Sequence, residues 1–255
     1  MVASTSSPFR APWTRTIDPR AELPAAWAWL RRPGLPRRIL PAIRGYLGAA
    51  PASTAYAFTL FVTWWTLRGV GNSVERRLIF SASTNLYNMR HSPVQVLVAS
   101  AFWTDGGFPW VTIAGFLIVM AYAERWLGTT RWILLFAIGH IGATLLTVTG
   151  ISHAIDRGLI PLHVAVAADV GTSYGFSAVL AALAFRFRGM LRLAWAVTIL
   201  LVLVVALWVG PTFTDYGHLC AAAIGLLVGT AATTFWRKLE RTTVRKASTD
   251  TAQRP

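Results

Sequence analysis

The stretch at residues 168–179 reads ADVGTSYGFSAV and places polar side chains inside an apolar segment of membrane-helix length. Asp169, Ser173 and Ser177 recur every four residues, so on a helix they would form one stripe. An aspartate at the centre of a membrane helix costs about 2.5–3.5 kcal/mol. We therefore interpret the stripe as a candidate functional site. Helix packing, in which each serine bonds back to its own helix, and an ion or transport pathway are the alternatives.

Composition shows why this segment belongs in a bilayer. Of 255 residues, 55% are hydrophobic and only 13% are charged, whereas a soluble domain carries about 25% charged residues. Long runs without charge alternate with short basic turns, and roughly 17–25 apolar residues span a bilayer as a helix. The sequence therefore predicts an all-α membrane protein, a six-transmembrane-helix bundle with spans at about 53–69, 108–124, 131–150, 163–185, 190–210 and 214–236.

The positive charge is unevenly distributed. The net charge is +14, and eight arginines fall in residues 1–44. Further basic residues bracket the turns between predicted helices two and three and between four and five, and others follow helix six. These four segments share one side of a six-helix protein, so the positive-inside rule predicts that both termini are cytoplasmic. This placement argues against a nucleic-acid partner, because the basic residues lie at the helix ends. We expect a multi-pass protein in the lipid bilayer of a bacterial-type cell (plasma) membrane.

Three regions follow from this pattern. Residues 1–50 are predicted to be a flexible Arg/Pro-rich cytoplasmic arm, residues 51–236 the six-helix membrane domain, and residues 237–255 a basic cytoplasmic tail. The external loop at 83–107 alternates polar and apolar residues, which favours an interfacial or re-entrant segment, with Pro93 starting a short helix.

A histidine on predicted helix six gives the serines a chemical partner. His218, Gly225 and Gly229 lie along one face of that helix, and the two glycines form a small-xxx-small contact. Helices four and six both run inward from the outer side, so His218 and Ser173 would lie at similar depth. A neutral imidazole within reach of a serine hydroxyl can take its proton as the oxygen attacks a carbonyl. Ser177, one turn deeper, is the weaker candidate.

These motifs resemble the rhomboid family of intramembrane serine proteases, and the resemblance covers about residues 53–236. The matching residues are the Gly-x-Ser of Gly171 and Ser173, the histidine and glycines of helix six, and a Glu-Arg-x-x-Gly-x-x-Arg turn formed by Glu124, Arg125, Gly128 and Arg131. The resemblance implies that Ser173 and His218 form a catalytic dyad that cleaves transmembrane helices of single-pass membrane proteins.

Four positions depart from the protease pattern. Tyr174 stands where the family has glycine, and Ser177 stands where an aromatic residue stacks on the histidine. Phe108 and Thr112 fall where the family places an oxyanion-binding His and Asn. Since one lost oxyanion donor costs about 10²–10³ in rate, the alternative function is a catalytically inactive rhomboid-like protein that binds membrane clients. A small transporter is the third candidate.

The remaining ionisable residues have simpler interpretations. Asp169 and Asp215 are expected either to cap the outer ends of their helices or to orient His218. His140 is expected to be hydrogen-bonded within the helix bundle. No spacing of histidines, carboxylates and Cys220 fits a metal site, so we expect neither a metal nor a cofactor.

Overall fold

A computed structural model describes residues 12–104, 108–210 and 212–252, and these residues form helices without any strand. The α-helices in chain order are α1 (Pro19–Arg31), α2 (Leu35–Gly48), α3 (Pro51–Arg68), α4 (Asn72–Ala82), α5 (Leu86–His91), α6 (Pro93–Ser100), α7 (Trp110–Gly115), α8 (Ala121–Leu127), α9 (Thr129–Asp156), α10 (Ser173–Ala182), α11 (Gly189–Val209) and α12 (Phe213–Ala252). A π-helical turn, Phe116–Met120, joins α7 to α8, and 3₁₀ turns lie at Pro12–Thr14, Leu162–Val166 and Leu183–Arg186.

The structure supports the all-helical membrane class but does not confirm six spans. Within the described residues, four helices are long and apolar enough to cross a membrane: Trp110–Leu127, Thr129–Asp156, Gly189–Val209 and Phe213–Thr243. The apolar helix Ser173–Arg186 is shorter. At the predicted first span, α3 has 18 residues but carries Ser53 and four threonines, which lower its hydropathy.

Three helices pack closely around Ala178 at the centre of the bundle. A Cβ atom added at Gly139 of α9 would overlap the Ala178 side chain, and one added at Gly225 of α12 would overlap the Ala178 carbonyl. Further along α12, a Cβ at Gly229 would overlap the Phe185 ring. The predicted small-xxx-small contact of helix six is thus confirmed, and it brings the backbones of α10 and α12 together.

A buried carboxylate joins the start of α3 to the turn between α8 and α9. Glu124 is 1% exposed. Its carboxylate accepts hydrogen bonds from the amides of Ala52 at 3.0 Å and Ser53 at 2.7 Å, and from the Thr129 hydroxyl at 2.7 Å. The N-cap residue of α3 is Ala50, which has no side-chain acceptor. Glu124 therefore caps a helix remote in sequence and places its charge at the positive end of that helix.

We expect Glu124→Ala to lower the thermal unfolding temperature in detergent, because each buried amide left without an acceptor costs about 1–3 kcal/mol. Glu240→Ala is the matched control, since this carboxylate is exposed and the hydrogen bond that it accepts from the Thr14 hydroxyl lies at the surface. The measurement is tryptophan fluorescence against temperature. Equal unfolding temperatures for the two variants would refute the capping role.

The N-terminal arm contains more structure than its composition predicts. Residues expected to form a flexible extension include the helices α1 and α2. Prolines lie inside both helices, at Pro24 and Pro41. In the external loop, α6 begins at Pro93, as the proline predicts.

The start of the fourth helix differs from the prediction. The apolar run suggests a helix from residue 163, but α10 begins only at Ser173. The preceding residues form a 3₁₀ turn, Leu162–Val166, and then an irregular segment. Gly171 in that segment has a φ of +134°, a conformation that residues other than glycine rarely adopt.

Candidate functional site

The irregular segment before α10 is held by residues of the predicted external loop. The amide of Asp169 donates to the Ser83 hydroxyl at 2.6 Å, and the amide of Thr84 donates to the Asp169 carbonyl at 2.9 Å. Two residues on, the amide of Gly171 donates to the Ser100 carbonyl at 2.8 Å. These bonds satisfy backbone groups that a helix would have satisfied internally, and they fix the direction from which the chain enters α10.

The Asp169 carboxylate binds side chains and not the end of α10. One oxygen, Oδ2, accepts from the Thr84 hydroxyl and from the Tyr174 hydroxyl, each at 3.0 Å. The N-cap position belongs to Thr172. The expectation that Asp169 caps the helix is therefore wrong. Asp169 instead contacts Tyr174, and the Tyr174 ring packs against His218.

Tyr174 packs directly against the predicted catalytic histidine. It is 3% exposed, and its ring meets the His218 ring edge to face, with centroids 5.3 Å apart and an interplanar angle of 75°. A Cβ atom at Gly217 would overlap the Tyr174 ring, so the glycine before His218 makes room for it. The aromatic partner of the histidine thus comes from the position after Ser173, and not from position 177.

Ser173, the predicted nucleophile, precedes Tyr174 at the start of α10. It is the first residue of α10 and its side chain is exposed, while His218 is half-buried on α12. Among the described residues the structure contains no hydrogen bond between the Ser173 hydroxyl and the His218 ring. The structure therefore brings together His218, Tyr174 and Asp169, with Ser173 next in the chain, and the catalytic dyad itself stays a prediction. Ser177 is half-buried one turn further along α10.

The predicted oxyanion positions lie on the second span and just before it. Phe108 precedes α7, and its ring centroid is 4.4 Å from that of Trp64 on α3 and 4.0 Å from that of Trp110. Thr112 is half-buried on α7. Phe108 is therefore part of an aromatic cluster against α3.

The two other ionisable residues considered from sequence have structural contacts. His140 is 4% exposed, with Nε2 3.2 Å from the Ser100 hydroxyl and 3.1 Å from the Leu97 carbonyl, which confirms that it is bonded within the bundle. The Asp215 carboxylate accepts from the Thr212 amide at 3.0 Å and its hydroxyl at 2.6 Å. Asp215 therefore organises the start of α12, in line with its predicted capping role.

Sequence reasoning missed the role of Tyr174 and its hydrogen-bonded partners. The family pattern identifies Tyr174 only as a departure from glycine. The spacing of Asp169 and Tyr174 matches no helical repeat, and their side chains meet because residue 169 lies outside the helix. Ser83 and Thr84 are 85 or more residues away from Asp169 in the chain. The available signal was an aspartate in an apolar run, followed by an aromatic hydroxyl in a glycine-bounded segment.

Comparison with known proteins places the chain in a family. The profile of a family described as Rhomboid-like protein matches residues 45–234, a range that contains Ser173, Tyr174 and His218. No curated protein and no solved structure matches the chain. The match extends from the end of α2 into α12 and covers most of the chain, and its apolar helices are those of a membrane protein. The chain belongs to the rhomboid-like family.

Proposed function

We propose that this protein is an intramembrane serine protease in which Ser173 is the nucleophile and His218 the general base. The observation that carries the proposal is the position of Ser173 at the exposed start of α10, immediately before the tyrosine whose ring packs against His218. The first amides of a helix have no intrahelical acceptor. The proposed nucleophile and the potential oxyanion donors both belong to the first turn of α10. The proposed base lies on α12 and contacts the residue that follows Ser173.

The proposed reaction follows the general serine-hydrolase scheme. The Ser173 oxygen forms a bond to the scissile carbonyl carbon while His218 accepts the hydroxyl proton. Amides of the first turn of α10 stabilise the resulting oxyanion. His218 then gives the proton to the leaving amine as the C–N bond breaks, and water hydrolyses the acyl-enzyme. In this scheme Tyr174 is a positioning residue, because its ring contacts the imidazole and its hydroxyl is held by Asp169.

The proposed substrates are transmembrane helices of single-pass membrane proteins, as the family resemblance implies. The proposed location is the cell membrane, with both termini in the cytoplasm. The support for this orientation is the placement of arginine around the helix ends.

The second candidate is a non-proteolytic protein that binds membrane clients through the same face. The observation that favours it is the lack of a hydrogen bond between Ser173 and His218 in the described part of the chain. Phe108, packed on Trp64, adds to this case, because it supplies no hydrogen-bond donor for an oxyanion. Catalytic hydrogen bonds are often long without substrate, so the protease remains compatible with the missing bond. The two candidates make distinct experimental predictions.

A fluorophosphonate probe tests nucleophile activation directly. We expect the purified wild-type protein to be labelled on Ser173, because the probe reacts only with a serine whose proton is removed during attack. His218→Ala should abolish labelling. Ser177→Ala is the matched control, since it removes a hydroxyl from the same helix, one turn away, and should be labelled like the wild type.

The probe also separates the two candidates. Labelling of the wild type and of Ser177→Ala, with none in Ser173→Ala, supports the protease. If the folded wild-type protein is unlabelled after long incubation, and its crosslinking to a membrane client survives Ser173→Ala, the client-binding function replaces the proposal.

A further inference from the structure

The helices α1 and α2, joined by the turn at 32–34, pack little against the membrane domain, and we call this pair of helices the hairpin. Both helices are fully described, and none of their residues is buried. Arg38 on α2 donates to the Trp29 carbonyl of α1 at 2.6 Å, and its guanidinium lies 4.8 Å from the Trp29 ring centroid. These contacts join the end of α1 to the start of α2 across the turn, and the remaining faces of both helices are open.

One face of α2 is apolar and its arginines lie outside that face. At 100° per residue, four side chains fall within an arc of about 100°, namely Ile39, Ile43, Leu47 and Leu40, and all three arginines of the helix fall outside this arc. Ile39 and Ile43 are 40% and 49% exposed. Such segregation of apolar and basic side chains is typical of helices that lie along a membrane surface.

The other helix of the hairpin repeats the pattern. Leu23, Trp27 and Leu30 follow each other at helical spacing on α1 and are 69%, 55% and 45% exposed. The guanidinium of Arg31 lies 4.6 Å from the Trp27 ring centroid. Six arginines and one glutamate fall in residues 19–48, which gives the hairpin a net charge of +5.

The ends of the hairpin are fixed to the membrane domain. Before α1, the amide of Ile17 donates to the Arg186 carbonyl at 2.9 Å, and the Arg186 guanidinium donates to the Arg15 carbonyl at 2.8 Å. After α2, only Ala49 and Ala50 separate it from α3. The hairpin is therefore held at the end of the bundle that carries Arg186.

A tyrosine near the end of α2 attaches the hairpin to the outside of the bundle. The Tyr46 hydroxyl donates to the Ile118 carbonyl at 2.6 Å, and the Arg125 guanidinium lies 4.6 Å from the Tyr46 ring centroid. Ile118 lies in the π-helical turn near the middle of the span Trp110–Leu127, and Arg125 lies near the end of that span. Ile118 is also 64% exposed on the outside of the bundle. The end of α2 thus lies beside a lipid-facing surface, and the Tyr46 ring lies between the middle of the span and its basic end.

We propose that α1 and α2 form an interfacial hairpin that binds anionic phospholipid on the basic side of the membrane. The apolar faces of α1 and α2 enter the boundary between headgroups and acyl chains. Arg37, Arg44 and the other arginines contact lipid phosphates, for which a guanidinium fork is well suited. This assignment concerns the surroundings of the protein and does not depend on whether Ser173 is catalytic.

The test places one fluorophore on each face of α2 in the full chain. Cys220→Ser provides a background without thiols, and NBD is attached at Ile43→Cys or at the matched control Gly45→Cys, where an added Cβ would meet no atom within 4 Å. In vesicles of phosphatidylcholine with phosphatidylglycerol, we expect NBD at position 43 to show blue-shifted emission, quenching by doxyl lipid and protection from iodide. NBD at position 45 should remain accessible to iodide and escape doxyl quenching.

The charge dependence completes the test. Removing phosphatidylglycerol, or combining Arg37→Glu with Arg44→Glu, should reduce doxyl quenching at position 43, since the arginines then lose their anionic partners. Iodide access at both labelled positions would overturn the proposal. So would protection at position 43 without doxyl quenching, which would indicate a protein partner such as a second copy of the chain. Quenching that is equal with and without phosphatidylglycerol would overturn the requirement for anionic lipid.

Discussion

Replacing Gly225 by alanine is expected to destabilise the membrane domain by about 1–3 kcal/mol, the usual cost of overpacking a close-packed interior. The added methyl group would overlap the Ala178 carbonyl, which is backbone and not a mobile side chain. Ala178 cannot retreat easily, because its own side chain already lies against Gly139 on α9. The α10–α12 contact would therefore have to open, and with it the contact between Tyr174 and His218.

Gly150→Ala is the matched control for this prediction. Gly150 is also within an apolar helix, α9, but an added Cβ would meet no atom within 4 Å. There the same substitution should be neutral or slightly stabilising, because alanine has the higher helix propensity. The measurement is thermal unfolding of both variants in the same detergent, followed by tryptophan fluorescence. Gly225→Ala with an unchanged unfolding temperature would show that the two helices are further apart than described.

The close helix packing was predictable because it depends on local residue types. A glycine pair at positions 225 and 229 needs only helical spacing to predict a close neighbour. Gly225 does lie against α10, and Gly229 lies against Phe185 in the turn that follows it. The start of α6 at Pro93 was predictable for the same reason, since proline suits the first turn of a helix. Features of this kind need no knowledge of which distant segments meet.

The start of α10 was not predictable, because tertiary hydrogen bonds decide it. Hydropathy continues through residues 163–172 and favours a helix there. In the structure, partners from the external loop, Ser83 and Ser100, take the hydrogen bonds that a helix would have formed, and Gly171 adopts a positive φ. No sequence pattern predicts that pairing over 70 or more residues.

The position of His218 was predictable from the sequence, but the ring that contacts it was not. His218 lies on the α12 face that packs towards α10, as expected from the glycines. The ring that contacts it belongs to Tyr174, which the family pattern identifies only as a departure, as it does Ser177. Both departures then have one explanation, because Tyr174 supplies the aromatic ring against His218 and position 177 need not be aromatic.

The N-terminal arm differs from its prediction for another reason. A composition rich in proline and arginine favours a flexible chain, yet Pro24 and Pro41 both lie within helices.

Ser173→Ala and His218→Ala are each expected to lower cleavage of a reconstituted transmembrane substrate by about 10⁴-fold or more. A nucleophile and its base act as a unit, so removing either one removes nearly the whole rate, and the double variant should be no slower than either single variant. Cleavage products are measured by gel and mass spectrometry over long incubations, because Phe108 and Thr112 stand where the family pattern predicts an oxyanion-binding histidine and asparagine.

The controls in this series separate chemistry from folding. Ser177→Ala should retain most of the activity, and the unfolding temperature of Ser173→Ala should match the wild type, since an exposed hydroxyl without a hydrogen bond to His218 contributes little stability. Tyr174→Phe keeps the ring against His218 but loses the hydrogen bond to Asp169. If Tyr174 positions the imidazole, this variant should lower kcat more than it changes KM. Full activity in Ser173→Ala would exclude Ser173 as the nucleophile, whereas additive losses in the double variant would exclude a dyad that acts as one unit.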